Sequence, residues 1–381
     1  MEFRDLQKQY QVLKDEIDAG IEEVLSSSRF IGGSQVRELE SALAEYTGVK
    51  NCITCANGTD AITIALSVWG VGKGDAVFVP DFTFFSSGEC PAGLGATPVF
   101  VDVDPVTFNI DPVKLEEAIN KTIKETSLTP KAIVSVDLFG LPADYNRIIP
   151  IAKKYGLFVL EDGAQGFGGE LNGKKACSFG DISTTSFFPA KPLGCYGDGG
   201  AIFTDNDEWA DIIRSLCVHG KSGENKYDNI RLGFNSRLDT IQAAILIPKL
   251  KAFEKYELKD VNAVAELYFT KLCDFGIAVP SIPSDSYSSW AQFTVVLPKG
   301  TDRNKVQDFM KSKGIPTMVY YAKPMHMQGA FAGTLSSCAD CPVTEDLCTR
   351  VLSLPIHPYM TEEMVCEVAD NLLKAIKNEA K

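Results

Sequence analysis

The first fifty residues repeat apolar side chains with the period of an α-helix. Two sets recur at spacings of three and four, namely Tyr10, Leu13, Ile17, Ile21 and Val24, then Val36, Leu39 and Leu43. Such spacing places the apolar side chains of each set on one helix face. The pattern therefore predicts two amphipathic helices within an N-terminal helical segment, residues 1–50.

After residue 50, short apolar runs alternate with helical stretches. The runs are NCITCA, DAVFVP, TPVFVDVD, KAIVSVDLFG and GLFVLED, and the strands ISTTSFF and GAIFTD flank a loop that contains Lys191. Helices are predicted from TDAITIALSVW, near 86–95, after Asp111 with Pro112 in the first turn, and near 143–155. Near-continuous apolar strands separated by helices indicate an α/β fold with a mostly parallel mixed sheet, covered by helices on both faces.

The last third of the chain mixes helices and strands in another way. A long helical stretch is expected over roughly 237–272, ending near DFG. It is followed by an edge-like strand AQFTVVL, a helix near 302–313, a strand PTMVYY and a terminal helix near 361–378. This mixture predicts a smaller α+β domain. We place the boundary in the long helix, which gives a large domain 1–250 and a small C-terminal domain 251–381.

Charge limits the classes of partner. The 381 residues carry a net charge of -13, whereas nucleic acids and anionic membranes are bound by basic patches. A local pocket can still bind a small anion. The sequence has no secretory apolar core at its start and no apolar run of membrane-spanning length. We therefore predict a cytoplasmic protein that binds neither nucleic acid nor membrane.

Cysteine spacing raises the question of a metal or redox site. The chain has 11 cysteines, and two pairs have C-x-x-C spacing: Cys52 with Cys55, and Cys338 with Cys341. The odd total fits reduced thiols better than a disulfide framework. The first pair lies on a predicted buried strand, and neither a histidine nor a second pair stands nearby at a usual metal spacing. We predict no metal site.

Candidate chemistry lies where predicted strands end, because ligands of open α/β sheets bind beyond the carboxyl ends of strands. In CANGTDA, Gly58 permits a close backbone turn and Thr59 can cap the next helix. This stretch is either a phosphate seat or a plain helix start. In LEDGAQGFGG, Glu161 and Asp162 end a strand. At least one carboxylate should face the crevice, where it either holds a cationic ring nitrogen or caps a turn.

The third stretch is SFFPAKPLGCYGDGG, in which Lys191 stands between Pro189 and Pro192. A lysine fixed at a strand end is a candidate Schiff-base nucleophile, and burial would lower its pKa. The alternative is a solvated loop lysine. The glycines that follow do not match the dinucleotide spacing G-x-G-x-x-G. A phosphate seat, a carboxylate and a fixed lysine together form the protein half of pyridoxal 5'-phosphate chemistry.

At these residues the sequence closely resembles the sugar-nucleotide aminotransferases of the DegT/DnrJ/EryC1/StrS family. The resemblance covers nearly the whole chain, through FRDLQKQY, RFIGGSQVRELESALAEYTGVK, CANGTDA, PDFTFFSSGE, LEDGAQGFG, TSFFPAKPLGCYGDGG, GFNSRLDTIQAA, PMHMQ and VLSLPIHPYMTEE. It implies the fold type I of pyridoxal phosphate-dependent transferases, pyridoxal 5'-phosphate as cofactor, and a homodimer with active sites at the subunit interface.

The resemblance also implies roles for individual residues. Lys191 forms the imine with the cofactor, and Asp162 pairs with its pyridine nitrogen. The other implied cofactor contacts are Gln165 by the phenolic oxygen, Phe84 stacked on the ring, Gly58, Thr59 and Ser186 at the phosphate, and Asn235 reaching the phosphate from the neighbouring subunit. The implied substrate contacts are Arg237, Tyr320, Tyr321, His326 and Tyr10. The alternatives for these five positions are core aromatics and a loop histidine in a hydrogen bond.

The implied reaction is the transfer of an amino group from L-glutamate to a keto-sugar nucleotide. Sugar dehydrase relatives carry a histidine where this chain has Lys191, so the lysine favours transamination. The expected acceptor is UDP-2-acetamido-2-deoxy-3-keto-hexuronate, aminated at C3 for surface polysaccharide. The alternatives are a dTDP-linked 3-keto- or 4-keto-6-deoxyhexose, a non-catalytic cofactor-binding regulator, and a nicotinamide-dependent dehydrogenase, whose glycine fingerprint CANGTDA does not supply.

Overall fold

The computed structural model describes residues 1–222, 228–272 and 276–379. The helices are α1 Leu6–Ser27, α2 Ser34–Thr47, α3 Gly58–Val68, α4 Ser86–Gly93, α5 Pro112–Glu125, α6 Tyr145–Tyr155, α7 Asp207–Leu216, α8 Thr240–Ala252, α9 Leu258–Leu272, α10 Arg303–Ser312, α11 Pro342–Arg350 and α12 Glu362–Glu379. The strands are β1 Asn51–Cys55, β2 Asp75–Pro80, β3 Thr97–Val101, β4 Thr129–Val136, β5 Phe158–Asp162, β6 Glu170–Leu171, β7 Lys174–Lys175, β8 Ile182–Ser186, β9 Gly200–Thr204, β10 Ser286–Tyr287, β11 Phe293–Val296 and β12 Val351–Leu354.

A seven-stranded sheet in the order β1-β9-β8-β5-β4-β2-β3 forms the centre of the molecule. Strand β9 pairs antiparallel with both β1 and β8, whereas the other pairings in this sheet are parallel. Val77 and Val79 of β2 pack into one apolar core, and Ala76 and Phe78 of the same strand pack into another. Because successive side chains of a strand point to opposite faces, both faces are covered. This confirms the predicted α/β fold with a mixed sheet.

The two helices expected in the first fifty residues are α1 and α2. In α1, Leu13 and Ile17 are buried against Ile245 and Ala252 of α8. Asp5 is the N-cap of α1, and its side chain accepts a hydrogen bond from the backbone N–H of Lys8. The apolar stripe of α1 thus holds the N-terminal segment against the large sheet domain, and residues 3 and 4 lie just before that helix.

Helix caps explain where α3 and α5 begin. Asp111 caps α5 as predicted and accepts hydrogen bonds from the backbone of Val113 and Lys114. For α3, the expectation that Thr59 provides the cap is wrong. The cap is Asn57, whose Oδ1 accepts a hydrogen bond from the N–H of Asp60 at 2.7 Å. Since α3 begins at Gly58, Thr59 already lies within its first turn.

A separate apolar core, away from the seven-stranded sheet, is formed by α9, α10, α12 and the antiparallel pair β11–β12. The expected strand PTMVYY is wrong. In the described structure, residues 316–321 contribute only a single bridge, between Met318 and Ser353. The partner of β11 is β12 instead, with Phe293 opposite Leu354. Helices α7 and α11 were not anticipated from the sequence.

The long helix expected over 237–272 begins at Thr240 and contains a π-helical turn at Phe253–Glu257 between α8 and α9. Its expected end near DFG falls partly on residues 273–275, which lie outside the described residues. The domain boundary after residue 250 stays a prediction. Across the described ranges, no helix combines the length and apolar character needed to cross a bilayer.

Candidate active site

The chain brings Lys191 and Asp162 to one edge of the large sheet. Asp162 is the last residue of β5 and lies opposite Thr184 of β8 in the strand register. The loop that contains Lys191 follows the end of β8 and leads into β9. Carboxyl ends of parallel strands meet at one edge, where α/β proteins bind ligands. The two functional groups therefore lie at the same edge of the sheet, although Asp162 ends a strand and Lys191 lies in a loop.

The loop around Lys191 is closed by backbone hydrogen bonds. The N–H of Lys191 donates to the carbonyl of Phe188 at 2.8 Å, and the N–H of Cys195 donates to that of Phe187 at 2.8 Å. A Cβ at Gly194 would lie 2.5 Å from the carbonyl oxygen of Pro189, so this turn requires glycine. These contacts limit the positions that the lysine side chain can reach.

Asp162 is buried and has hydrogen-bond donors on both carboxylate oxygens. Oδ2 accepts from the Ser87 hydroxyl at 3.2 Å, and Oδ1 accepts from the N–H of Ala164 at 3.2 Å. The neighbouring Glu161 is also buried, but it accepts hydrogen bonds from Phe179 and Ser183, so its role is structural. Of the two carboxylates, Asp162 is the one beside Lys191.

Burial and charge act on both groups. Burial raises the pKa of Asp162, and the nearby Lys191 cation opposes that rise. Burial lowers the pKa of Lys191, Asp162 opposes this change, and Arg4 adds to it. The lower pKa increases the fraction of neutral amine near pH 7, and the neutral amine is the form that attacks a carbonyl or accepts a proton.

Gln165, Tyr321 and Phe84 form a connected group of amide and aromatic side chains. Gln165 accepts a hydrogen bond from the N–H of Phe139 at 2.8 Å, and its Nε2 donates to the Tyr321 hydroxyl at 3.1 Å. Burial raises the pKa of Tyr321, so its hydroxyl stays protonated. The Phe84 ring is 54% exposed and its centroid lies 6.4 Å from that of Tyr321. An exposed aromatic face at a cleft can stack on a planar ligand.

The start of α3 and the end of β8 form a narrow seat for an anion. A Cβ at Gly58 would lie 2.7 Å from the Cβ of Ser186, so the backbone approaches that side chain closely. Free N–H groups and the helix dipole favour an anion at such a helix start, and Thr59 is exposed in its first turn. A phosphate seat, an aromatic face, a buried carboxylate and a lysine of lowered pKa fit a phosphorylated pyridine aldehyde.

Other candidate residues are not brought to this cleft in the described contacts. The Tyr10 hydroxyl donates to Asp18 of the same helix at 2.8 Å. His326 is 6% exposed, and its Nδ1 lies 2.6 Å from the carboxylate of Asp81. Arg237 is exposed and donates to the side chain of Asn235, which is exposed as well. The substrate roles of these residues stay predictions.

Cys341 does not pair with Cys338 in a metal-like group. Its thiol lies near Asp81, the residue that also binds His326. The ligand-type atoms of Asp81, His326 and Cys341 lie within 4.8 Å of one another, and the three side chains are buried. Two hydrogen bonds between Asp81 and His326 link the loop after β2 to the segment around residue 326.

Two residues near Lys191 were missed by sequence reasoning. Ser87 lies in the first turn of α4, three residues after Phe84, and its hydroxyl donates to Asp162. Arg4 donates to the carbonyl of Ala190 at 2.6 Å and lines the same cleft as Lys191. Ser87 stands in a family motif, PDFTFFSSGE, so the motif could have suggested it. Arg4 stands in the motif FRDLQKQY, but nothing in that stretch indicates its partner, because 186 positions separate Arg4 from Ala190.

The amino-acid sequence matches one known protein family. The model of the DegT/DnrJ/EryC1/StrS aminotransferase family matches residues 11–373. The chain is 46% identical to the UDP-2-acetamido-2-deoxy-3-oxo-D-glucuronate aminotransferase of Pseudomonas aeruginosa, over 97% of this chain and 100% of that protein. It is 42% identical to a pleiotropic regulatory protein of Geobacillus stearothermophilus, over 97% and 96% of the two chains.

Solved structures agree with that match. A DegT DnrJ EryC1 StrS aminotransferase from Brucella abortus superposes with a TM-score of 0.93, at 46% identity and 99% coverage of both chains. NtdA from Bacillus subtilis, solved with its bound cofactor PMP, superposes with a TM-score of 0.85 at 33% identity, covering 95% of this chain and 82% of that one. The fold and the predicted cofactor chemistry are thus found together in similar proteins.

Proposed function

We propose a specific reaction for this chain, which belongs to the DegT/DnrJ/EryC1/StrS aminotransferase family and is a pyridoxal phosphate-dependent sugar-nucleotide aminotransferase. The proposed reaction moves an amino group from L-glutamate to C3 of UDP-2-acetamido-2-deoxy-3-keto-hexuronate. The observation that carries it is a buried Asp162 carboxylate, held by Ser87 and Ala164 at the end of β5, close to the Lys191 amine. The name of the Pseudomonas aeruginosa relative supports the choice of sugar.

Bound pyridoxal phosphate supplies an electron-withdrawing ring and carries the amino group between the two half-reactions. We propose that Gly58, Thr59 and Ser186 hold its phosphate through N–H and hydroxyl donors. Phe84 would pack on the face of its ring. The Ser87 hydroxyl and the Ala164 N–H orient the Asp162 carboxylate, which would keep the ring nitrogen protonated.

Lys191 has two roles in this proposal. Its amine would hold the cofactor, and burial favours this by lowering the lysine pKa. The same amine would act as a general base that moves a proton at the donor α-carbon. Gln165 would contact the cofactor next to the ring, on the side where it donates to Tyr321.

The remaining assignments complete the proposal. Tyr320 and Tyr321 have ring centroids 5.8 Å apart, and Tyr321 adjoins Phe84, which supports a sugar site at these two residues. Arg237 would bind the nucleotide phosphates or the uronate, with Tyr10 and His326 as further contacts. The protein would act in the cytoplasm as a homodimer, with Asn235 reaching the partner's phosphate site.

The test combines chemistry on the cofactor with a panel of acceptors. Borohydride reduction of the holoenzyme and peptide mapping should place the label on Lys191. Mass spectrometry should detect glutamate-dependent amination of the UDP-linked 3-keto-uronate in preference to dTDP-linked keto-hexoses. A label on another residue would contradict the site. A labelled Lys191 without amination of any sugar would point to a regulator instead.

A further inference from the structure

The N-terminal segment places a second cation beside Lys191. Arg4 lies just before α1, and its Nη1 donates to the carbonyl of Ala190, the residue preceding the lysine, at 2.6 Å. The ring of Phe3 lies 6.4 Å from that of Tyr320, centroid to centroid. Arg4 and Lys191 line one cleft together with Ser289. The segment therefore lies directly against the loop that contains Lys191.

Arg4 has hydrogen-bonding capacity to spare. A guanidinium carries several N–H donors in a planar fork. Within the described parts of the chain, Ala190 supplies the one acceptor within hydrogen-bonding distance of Arg4, and no carboxylate lies within 4.0 Å of its nitrogens. Burial lowers the pKa of Arg4 to about 10, which reflects a cation partly deprived of solvent. Such a group is stabilised by an anionic partner.

The acidic residues nearby already have partners. Glu257 is buried and accepts hydrogen bonds from Gln9 at 2.9 and 3.1 Å and from the Tyr359 hydroxyl. Asp5 caps α1 through the N–H of Lys8. The charge of Glu257 favours the Arg4 cation, but its oxygens accept hydrogen bonds from Gln9 and Tyr359. The fork of Arg4 stays open for a ligand.

We propose that Arg4 binds a carboxylate of the substrate beside Lys191. This inference rests on the proposed function, because that reaction uses two molecules with carboxylates: the amino donor and the uronic acid sugar. A guanidinium binds a carboxylate with two parallel N–H···O bonds, which fixes orientation as well as position. Arg4 would thus be a binding residue that selects acids at the reacting end of the cleft.

The test measures binding of unreactive ligands to the holoenzyme by calorimetry. Glutarate represents the amino donor, UDP-N-acetylglucosaminuronic acid represents the sugar acid, and UDP-N-acetylglucosamine is the same nucleotide sugar without the carboxylate. Arg4→Gln should weaken the binding of one of the two acids by about 10- to 100-fold, which is the usual effect of losing a charge-assisted hydrogen-bonded pair. The affinity for UDP-N-acetylglucosamine should stay unchanged. Arg147→Gln, on the exposed side of α6, is the matched control.

The pattern of losses identifies the ligand. Weaker glutarate binding assigns Arg4 to the amino donor, and weaker binding of the sugar acid alone assigns it to the uronate. Unchanged affinity for both acids, or equal losses that include UDP-N-acetylglucosamine, would overturn the inference. Arg4→Lys provides a second variant if Arg4→Gln fails to fold. It keeps the charge but loses the planar fork, so an intermediate loss for the same acid is expected.

The proposed function is tested separately, by an activity measurement on the wild-type protein. Conversion of glutamate to 2-oxoglutarate by the wild-type holoenzyme, with normal affinities in Arg4→Gln, would remove the inference and leave the function intact. A wild-type holoenzyme that does not convert glutamate would remove the function. Binding of the acids through Arg4 would then still be recorded by calorimetry.

Discussion

Gly58 packs directly against Ser186. A Cβ at residue 58 would lie 2.7 Å from the Ser186 Cβ, 3.3 Å from its Oγ and 3.4 Å from its Cα. The start of α3 is thereby fixed against the end of β8. This one contact therefore positions both elements of the proposed phosphate seat relative to each other.

Substituting Gly58 by alanine should therefore weaken cofactor binding. The added methyl group must push Ser186 or the backbone aside, and overpacking of this kind costs about 1–3 kcal/mol. We expect the dissociation constant of pyridoxal phosphate to rise about tenfold or more, measured by absorbance titration of the apoprotein. Gly93→Ala is the control, because a Cβ at Gly93 meets nothing within 4 Å. Equal affinities in the two variants would refute the seat.

Lys191→Arg should bind the cofactor but not turn over. An arginine keeps the positive charge and cannot form the imine or serve as general base, a role worth about 10²–10⁴ in rate. Turnover with glutamate should fall by at least that factor, and borohydride should no longer fix label at this position. Lys73→Arg, at an exposed site, should behave as the wild type. Retained turnover in Lys191→Arg would end the assignment.

Asp162→Asn should separate activity from stability. Burial raises the pKa of Asp162 above its ordinary 3.8, so the native state binds this proton more tightly than the unfolded chain. Stability of the wild-type apoprotein, relative to the variant, should fall as pH rises from about 3.8 through the raised pKa, and then level off. Melting temperatures across pH 3.5–8 test this, with Asp211→Asn in α7 as control.

The same Asp162→Asn variant should lose activity even where it gains stability. Without the carboxylate, the ring nitrogen has no anionic partner, and loss of a well-placed electrostatic group costs about 10²–10³ in rate. A melting-temperature difference that does not change with pH would contradict the raised pKa. Unchanged turnover would contradict the proposed contact with the ring nitrogen.

His357 should make the protein sensitive to mild acid. Burial lowers the pKa of His357 from 6.5 to about 4, so the unfolded chain binds the proton more readily than the native state. The free energy of unfolding should fall as pH drops from 6.5 towards 4, by at most about 3 kcal/mol. In His357→Gln the decline should be shallower, as urea unfolding at each pH would measure. An identical decline in the variant, with exposed His219→Gln as reference, would disprove the role.

Sequence reasoning succeeded where the signal is local. Period and caps located α1, α2 and α5, because a helix buries one face and needs a donor or acceptor at its ends. Lys191 and Asp162 could be found because each stands in a short stretch at a strand end. The family resemblance added Gln165 and Phe84, and in the structure both side chains adjoin Tyr321.

The failures came from contacts between distant parts of the chain. The run PTMVYY has strand-like composition, but its tyrosines turn toward Phe84 and Phe3, and the strand that pairs with β11 lies at 351–354 instead. Asp81 and His326 are 245 positions apart, and Arg4 and Ala190 are 186 apart. Pairings of this kind depend on tertiary packing, which no local pattern encodes.

The reversed direction of β9 has a consequence for how the lysine is presented. Strands β8 and β9 pair from Ser186 and Gly200 outward, so the loop leaves and re-enters the sheet at the same edge. A parallel β9 would have required a crossover connection from the end of β8 back to the opposite end of the sheet. The Lys191 loop would then not have been held between two neighbouring strand ends. In the antiparallel hairpin, both ends of the loop are fixed by paired strands. Transferring this reactive amine to another scaffold would therefore require both strands rather than the loop alone.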